Sequence, residues 1–289
     1  MMKRNLKMMM AAAMMAAVVA VSAGCSGSQG SGAQEESAQS GGTQESGTQG
    51  SVAQEGDGQL KVGIIQLIEN GAFNDMREGF IQELRDQGYS EDRLVIDYKC
   101  AQGDTSNLQT IAQGMADGSY DLVATIATPA TQAMVNLESD TPVIFVAVSA
   151  PVQAGVISDM EKPDKNATGT SNAIPVEDIF ELGAQLTPEA ETYGFLYCTS
   201  EVNSVNTIED AKAYCDENGI SYQEAVVTNS SEVQQAAQSL ADEVDAIFIP
   251  NDSVIQSAMS LVTEVARSAK IPVYGSSATM VDSGAFATI

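Results

Sequence analysis

Thr128, Pro129 and Ala130 follow an apolar run and open a helical pattern, so a hydroxyl and free backbone N–H groups meet where a carboxylate can be held. Ser200 and Ser204 add donors further along the chain. Asp252, next to Asn251, supplies the negative charge that an ammonium group needs. Gln66 ends another apolar run, and the segment from Gln66 to Phe73 brings a ring that can serve as apolar wall or stacking surface. Donors, an anion and a wall are the parts of a binding site for a small charged molecule. Helix capping is the competing reading for three of them, because Thr128, Ser204 and Asp252 all stand where N-caps are expected. Asn251 already offers a capping side chain, which makes Asp252 the sharpest candidate.

The same inventory argues against turnover. The chain has no histidine, which removes the commonest general base and the commonest metal ligand together. Gly103, Gly114 and Gly118 are not followed by the Gly-Lys-Ser/Thr of a phosphate loop, and there is no Gly-x-Ser-x-Gly elbow. Cys100, Cys198 and Cys215 lie far apart without a Cys-x-x-Cys pair, so neither metal nor cofactor is expected. Cys198 and Cys215 can bridge if strand and helix ends meet; buried thiols are the other reading. The net charge of −26 repels phosphate and argues against nucleic acid as a partner.

The elements that must position these residues alternate. Leu60 to Gln66 reads as a buried strand, Asn70 to Phe73 as a loop, and Asn74 to Gln87 as a helix with an apolar stripe, stopped by Gly88. Further strands are expected at 93–100, 120–126 and 142–148, with helices at 104–116 and from Thr128 between them. Val152 to Asn172 breaks the rhythm. Helices at 176–186, 205–217, 231–240 and 253–269 then alternate with strands at 192–197, 222–227, 246–250 and 271–274. Two such runs make an α/β protein of two Rossmann-like parallel-sheet lobes, residues 60–172 and 173–283. Ligands bind beyond the carboxyl ends of parallel strands, so the loops carrying the candidates face one cleft.

The first residues form an export leader: Lys3, Arg4 and Lys7, then an apolar run from Met8 to Val21 that is short for a membrane span. Residues 25–59 are a tether of Ser, Gly, Gln and Glu that cannot bury a core. Ser22-Ala23-Gly24-Cys25 resembles the lipobox of bacterial lipoproteins, although Ser22 stands where that family prefers Leu. The resemblance implies a signal peptide of residues 1–24 and a lipidated Cys25 at the outer face of the cell membrane. The alternative is an ordinary signal peptide cut after Ala23 or Gly24.

From Leu60 onward the chain resembles the solute-binding lipoproteins of ABC importers with a type I periplasmic-binding fold, in the branch of tryptophan and tyrosine binders. The carrying stretches are Val62-Gly63-Ile64-Ile65-Gln66, Ala101-Gln102-Gly103-Asp104, Ile126-Ala127-Thr128-Pro129-Ala130, Ser200-Glu201-Val202-Asn203-Ser204, the Thr228–Ala237 segment and Ile249-Pro250-Asn251-Asp252. The resemblance implies a hinge between the lobes, an amino-acid ligand of aromatic class, permease and ATPase partners, and a monomeric receptor without enzymatic activity. It also implies that residues 284–289 begin a return strand to lobe one, the rest of whose C-terminal part lies beyond the given sequence. Family members often carry Asp where Ala150 stands. A ligand-sensing surface domain and a sugar or nucleoside binder are the alternatives.

Overall fold

Short runs of Val, Ile and Ala build the strands, and because helices cover both sheet faces these runs read as continuously apolar. In the computed structural model, which describes residues 58–289, the first half of the chain runs β1 (Leu60–Gln66), α1 (Gly71–Asp86), β2 (Leu94–Cys100), α2 (Thr105–Met115), β3 (Leu122–Ile126), α3 (Ala127–Val135), β4 (Val143–Val148) and β5 (Ala167–Ser171). The second half runs α4 (Val176–Leu186), β6 (Thr192–Cys198), α5 (Val202–Asn218), β7 (Ser221–Val227), α6 (Val233–Ala241), β8 (Ala246–Ile249), α7 (Ser253–Ser257), α8 (Met259–Ala269), β9 (Val273–Gly275) and α9 (Ala278–Asp282). The leader, Cys25 and all but the last two residues of the tether lie outside the described residues.

Two parallel sheets result, one in the order β2-β1-β3-β4-β5 and the other in the order β7-β6-β8-β9. The two orders repeat one topology, each turning around beside its central strand: between β1 and β3, and between β6 and β8. This is the α/β architecture of two Rossmann-like sheets expected from the alternation. Ile65 of β1 packs with Leu108, Ala112 and Met115 of α2, while Val62 and Ile64 on the opposite face pack with Ile81 of α1. In the second sheet Leu196 and Ile247 meet α6 and α8, and Phe195 and Phe248 meet α4 and α5. Gly63 and Gly194 hold matching places in the two central strands. A Cβ at Gly63 would stand 2.8 Å from Met115 Sδ, and one at Gly194 would stand 2.6 Å from Leu240.

Several local expectations are corrected. Helix α1 begins at Gly71, not Asn74, because Asn70 caps it by accepting from the Phe73 N–H at 2.9 Å. Phe73 therefore sits in a helical first turn and not in a loop. Helix α5 likewise begins at Val202, which puts Ser204 inside it. The irregular joint contains a strand, β5, paired in parallel with β4. The helix expected over 253–269 is two helices, broken at Ala258. Residues 284–289 lie along β9 of the second sheet, where Gly275 N–H donates to Ala287 O at 3.0 Å and Phe286 N–H donates to Val273 O at 2.7 Å. Cys198 and Cys215 are free, buried thiols, and burial pushes the Cys215 thiol up to about 12.

Candidate functional site

Strand ends at a topological switch point leave a crevice, because the chains leave the two strands toward opposite faces of the sheet. The loops after β1, β3, β6 and β8 are those at the two switch points, and all four line one cavity. Asn70, Phe73, Met76, Ala127 and Thr128 come from the first sheet; Glu201, Asn203, Asn251, Asp252 and Ser253 come from the second. Ser277, Thr279 and Met280, after β9, extend the second wall.

On the first-sheet side, α3 starts without a side-chain cap, since Ile126 precedes it. The N–H groups of its first turn thus lack a side-chain partner at the lining residues Ala127 and Thr128. Such an end attracts a carboxylate or another anion. Ala127 has φ +67°, and Ala147, also in the lining, has φ +58°. Left-handed backbone at a non-glycine residue costs roughly 1–3 kcal/mol and persists where the surroundings demand it. At Ala147 that demand is visible: its N–H donates to Thr170 Oγ1 at 3.1 Å, where the β4–β5 register shifts.

The second-sheet side is acidic. Asp252 caps α7 by accepting from Ile255 N–H at Oδ1 (2.9 Å), and its Oδ2 accepts from Cys198 N–H (2.6 Å). Glu201 accepts from the N–H groups of Ser253 and Val254 (3.1 Å each) and from Ser253 Oγ. Both carboxyls are buried. Burial, and then the neighbouring Asp252 charge, pushes Glu201 up to about 8; burial pushes Asp252 up as well. Among the described residues no salt bridge reaches either one. Three lining residues also keep buried polar atoms without partners: Asn70 Nδ2, Asn203 Oδ1 and Asn251 Oδ1. Buried polar groups are ordinarily satisfied, so these atoms are open to a partner from water or from a bound molecule.

Of the residues singled out from sequence, Phe73, Thr128, Asn251 and Asp252 line the cavity, and five do not. Gln66 is buried at the end of β1, where its Oε1 accepts from Arg77 Nη1 at 3.1 Å and steadies α1. Pro129 is half-buried, and Ala130 is wholly buried on the core side of α3. Ser200 is exposed, with Oγ 3.0 Å from Cys198 Sγ. Ser204 is buried in the first turn of α5. Neither Thr128 nor Ser204 is an N-cap; Asp252 is. Glu201 and Asn203 line the cavity too but are not singled out from sequence, although they stand in the Ser200–Ser204 stretch that follows β6 as Asn251 and Asp252 follow β8. Among the described residues no group of three His, Cys, Asp or Glu stands close enough to hold a metal.

Residues 61–289 match the family model of ABC transporter substrate binding proteins. The chain is 39% identical over 230 residues to a tyrosine-binding protein of Clostridioides difficile, covering 79% of this chain and 67% of that one. It superposes with a TM-score of 0.77 on the crystal structure of an ABC domain in complex with L-Trp from Streptococcus pneumonia, at 33% identity, covering 80% of this chain and 78% of the other. With the ligand-free, open structure of a substrate binding protein with adhesive properties from Clostridium difficile the TM-score is 0.55, at 37% identity, covering 78% and 77%.

Proposed function

The chain belongs to the ABC transporter substrate-binding proteins of type I periplasmic-binding fold, in the tryptophan- and tyrosine-binding-like branch, and from that premise we propose that it captures an amino acid of aromatic class. Members of this family bind solutes outside the cytoplasm and are not enzymes. In this reading the ligand lies in the cavity between the sheets and is handed to the permease and ATPase of an importer. Cys25 carries the lipid that holds the receptor at the membrane, and the 25–59 tether gives it reach.

The observation that carries the proposal is the polarity of the cavity. An uncapped helix start faces it from one sheet and two buried carboxyls without a cation face it from the other. A zwitterion bridges those two ends, its carboxylate at Thr128 and the start of α3 and its ammonium at the acidic side on the second sheet. Phe73, Met76 and Met280 supply apolar surface for its side chain. The lobe arrangement supports the same reading, being nearer to a tryptophan-bound relative than to an open, ligand-free one although identity to the latter is no lower. The ligand acts by holding the closed form.

A thermal-shift screen of amino acids, sugars and nucleosides tests the ligand class. The proposal expects shifts with L-tyrosine or L-tryptophan. Shifts with sugars or nucleosides alone would overturn it.

A further inference from the structure

Two buried carboxyls side by side repel each other unless a proton or a cation stands between them. Glu201 is 2 % exposed and Asp252 is 2 % exposed, and both belong to the cavity wall. Their hydrogen bonds divide unequally. Asp252 has each oxygen engaged by a backbone N–H, Cys198 at one and Ile255 at the other. Glu201 draws its three short bonds, from Ser253 N–H, Ser253 Oγ and Val254 N–H, onto Oε1. Its Oε2 has a single contact, 3.2 Å from Ser253 N, shared with Oε1.

A second observation concerns the same wall of the cavity. Asn203, 4 % exposed, donates Nδ2 to Asn251 O at 2.6 Å, which fixes the orientation of its amide and leaves Oδ1 buried with no partner. A buried acceptor of this kind costs about 1–3 kcal/mol until a donor meets it. Glu201 and Asn203 lie two residues apart at the entry to α5 and both line the cavity.

We propose that Glu201 Oε2 and Asn203 Oδ1 form the seat for the cationic centre of the ligand, with Asp252 a positioning residue that ties the start of α7 to β6. This rests on the reading of the site as one for an amino acid and replaces Asp252 as the ammonium partner. The seat accepts an ammonium, which brings N–H donors for both oxygens and the charge the carboxyl pair lacks. In its absence a proton on the pair takes that role, so ligand entry exchanges a proton for an ammonium. The titratable groups facing Glu201 are Asp252 at the end of β8 and Cys198 at the end of β6. Further along its own helix, Lys212 is paired with Glu209 and Glu224.

The test is titration calorimetry of the intact chain and Glu201→Gln with three probes: L-tyrosine, tyramine, which lacks the carboxylate, and 3-(4-hydroxyphenyl)propionate, which lacks the ammonium. Glutamine keeps an acceptor for Ser253 and Val254 and so preserves the start of α7. The expected result is a loss of tenfold or more for L-tyrosine in E201Q, with the propionate weak and unchanged. L-tyrosine binding that E201Q leaves intact overturns the seat and spares the amino-acid reading. Tyramine bound in a Glu201-dependent way without L-tyrosine binding overturns the amino-acid reading and spares the seat. Silence of all three probes removes both. A measurement without substitution adds to this. Titrating L-tyrosine at pH 7 in two buffers of different ionisation heat should show close to one proton released per ligand, and zero release contradicts the exchange.

Discussion

Asn251 Nδ2 donates to Ser149 Oγ, joining the loop after β8 to the loop after β4 and so one sheet to the other. Ser149 is buried and stands outside the cavity lining, so this bond belongs to the closed arrangement more than to the ligand. Ser149 O in turn accepts from Ser171 Oγ at 3.1 Å, which ties the clasp to the last residue of β5. Ser149→Ala should therefore weaken ligand binding, although Ser149 itself is not a lining residue and acts through Asn251. A single neutral hydrogen bond contributes about 1 kcal/mol, or roughly fivefold in affinity. The change should appear as faster dissociation in a stopped-flow measurement. An unchanged off-rate would show that the clasp does not hold the lobes.

Stability should depend on pH through Glu201. Its carboxyl sits at about 8 in the folded chain against 4.5 ordinarily, so the folded state keeps a proton that the unfolded chain has released. Below the ordinary value both states hold the proton and the folded state is not penalised. Stability then falls as pH rises through the window up to about 8. Urea unfolding at pH 5.5 and at pH 8 should show the drop in the intact chain and a smaller one in Glu201→Gln. Equal slopes in the two proteins would assign the dependence to other groups.

Affinity for an ammonium ligand should move the opposite way, tightening from pH 6 toward pH 8 as the proton becomes easier to displace. The limit is tenfold per pH unit for one exchanged proton. Calorimetric titration of L-tyrosine at half-unit steps measures it. A flat profile over that range would contradict the exchange.

The central strands were legible because they are buried on both faces. Leu60–Gln66 and Ala246–Ile249 are short, mainly apolar runs of the kind that covered parallel strands show. Ala167–Ser171 was not legible: four of its five residues are exposed at a sheet edge, and Thr, Gly and Ser there read as turn. In the site, Asp252 stood out because Asn251 beside it can already cap the helix, whereas nothing local set Glu201 apart in a chain with 39 acidic residues. Its burial comes from α7 folding over it through Ser253 and Val254, a contact between residues more than fifty positions apart. Local patterns do not carry such information. The left-handed backbone at Ala127 is equally silent in sequence, because alanine gives no sign of it.

Asp252 should prove chiefly structural. Asp252→Ala removes the acceptor of two buried backbone N–H groups, those of Cys198 and Ile255, and should cost about 2–4 kcal/mol in chemical unfolding. Asp252→Asn keeps one acceptor and should recover part of that loss. A fully stable Asp252→Ala variant would show that these bonds do not hold α7 on β6.

The matching glycines of the central strands give a packing prediction. Gly194→Ala places a methyl against Leu240 at 2.6 Å and should destabilise the second lobe by about 1–3 kcal/mol. Removing the contacting γ- and δ-carbons as well, in Gly194→Ala with Leu240→Ala, should cost less than the two single changes added together. Full additivity would show that the helix backbone, and not the Leu240 side chain, limits the space.

The most direct test of the account is a crystal structure grown with L-tyrosine or L-tryptophan. The account expects the amino acid between the sheets, its carboxylate at the start of α3 beside Thr128 and its ammonium within hydrogen-bond distance of Glu201 and Asn203. A ligand bound elsewhere, or bound there with its ammonium turned away from Glu201, would contradict it.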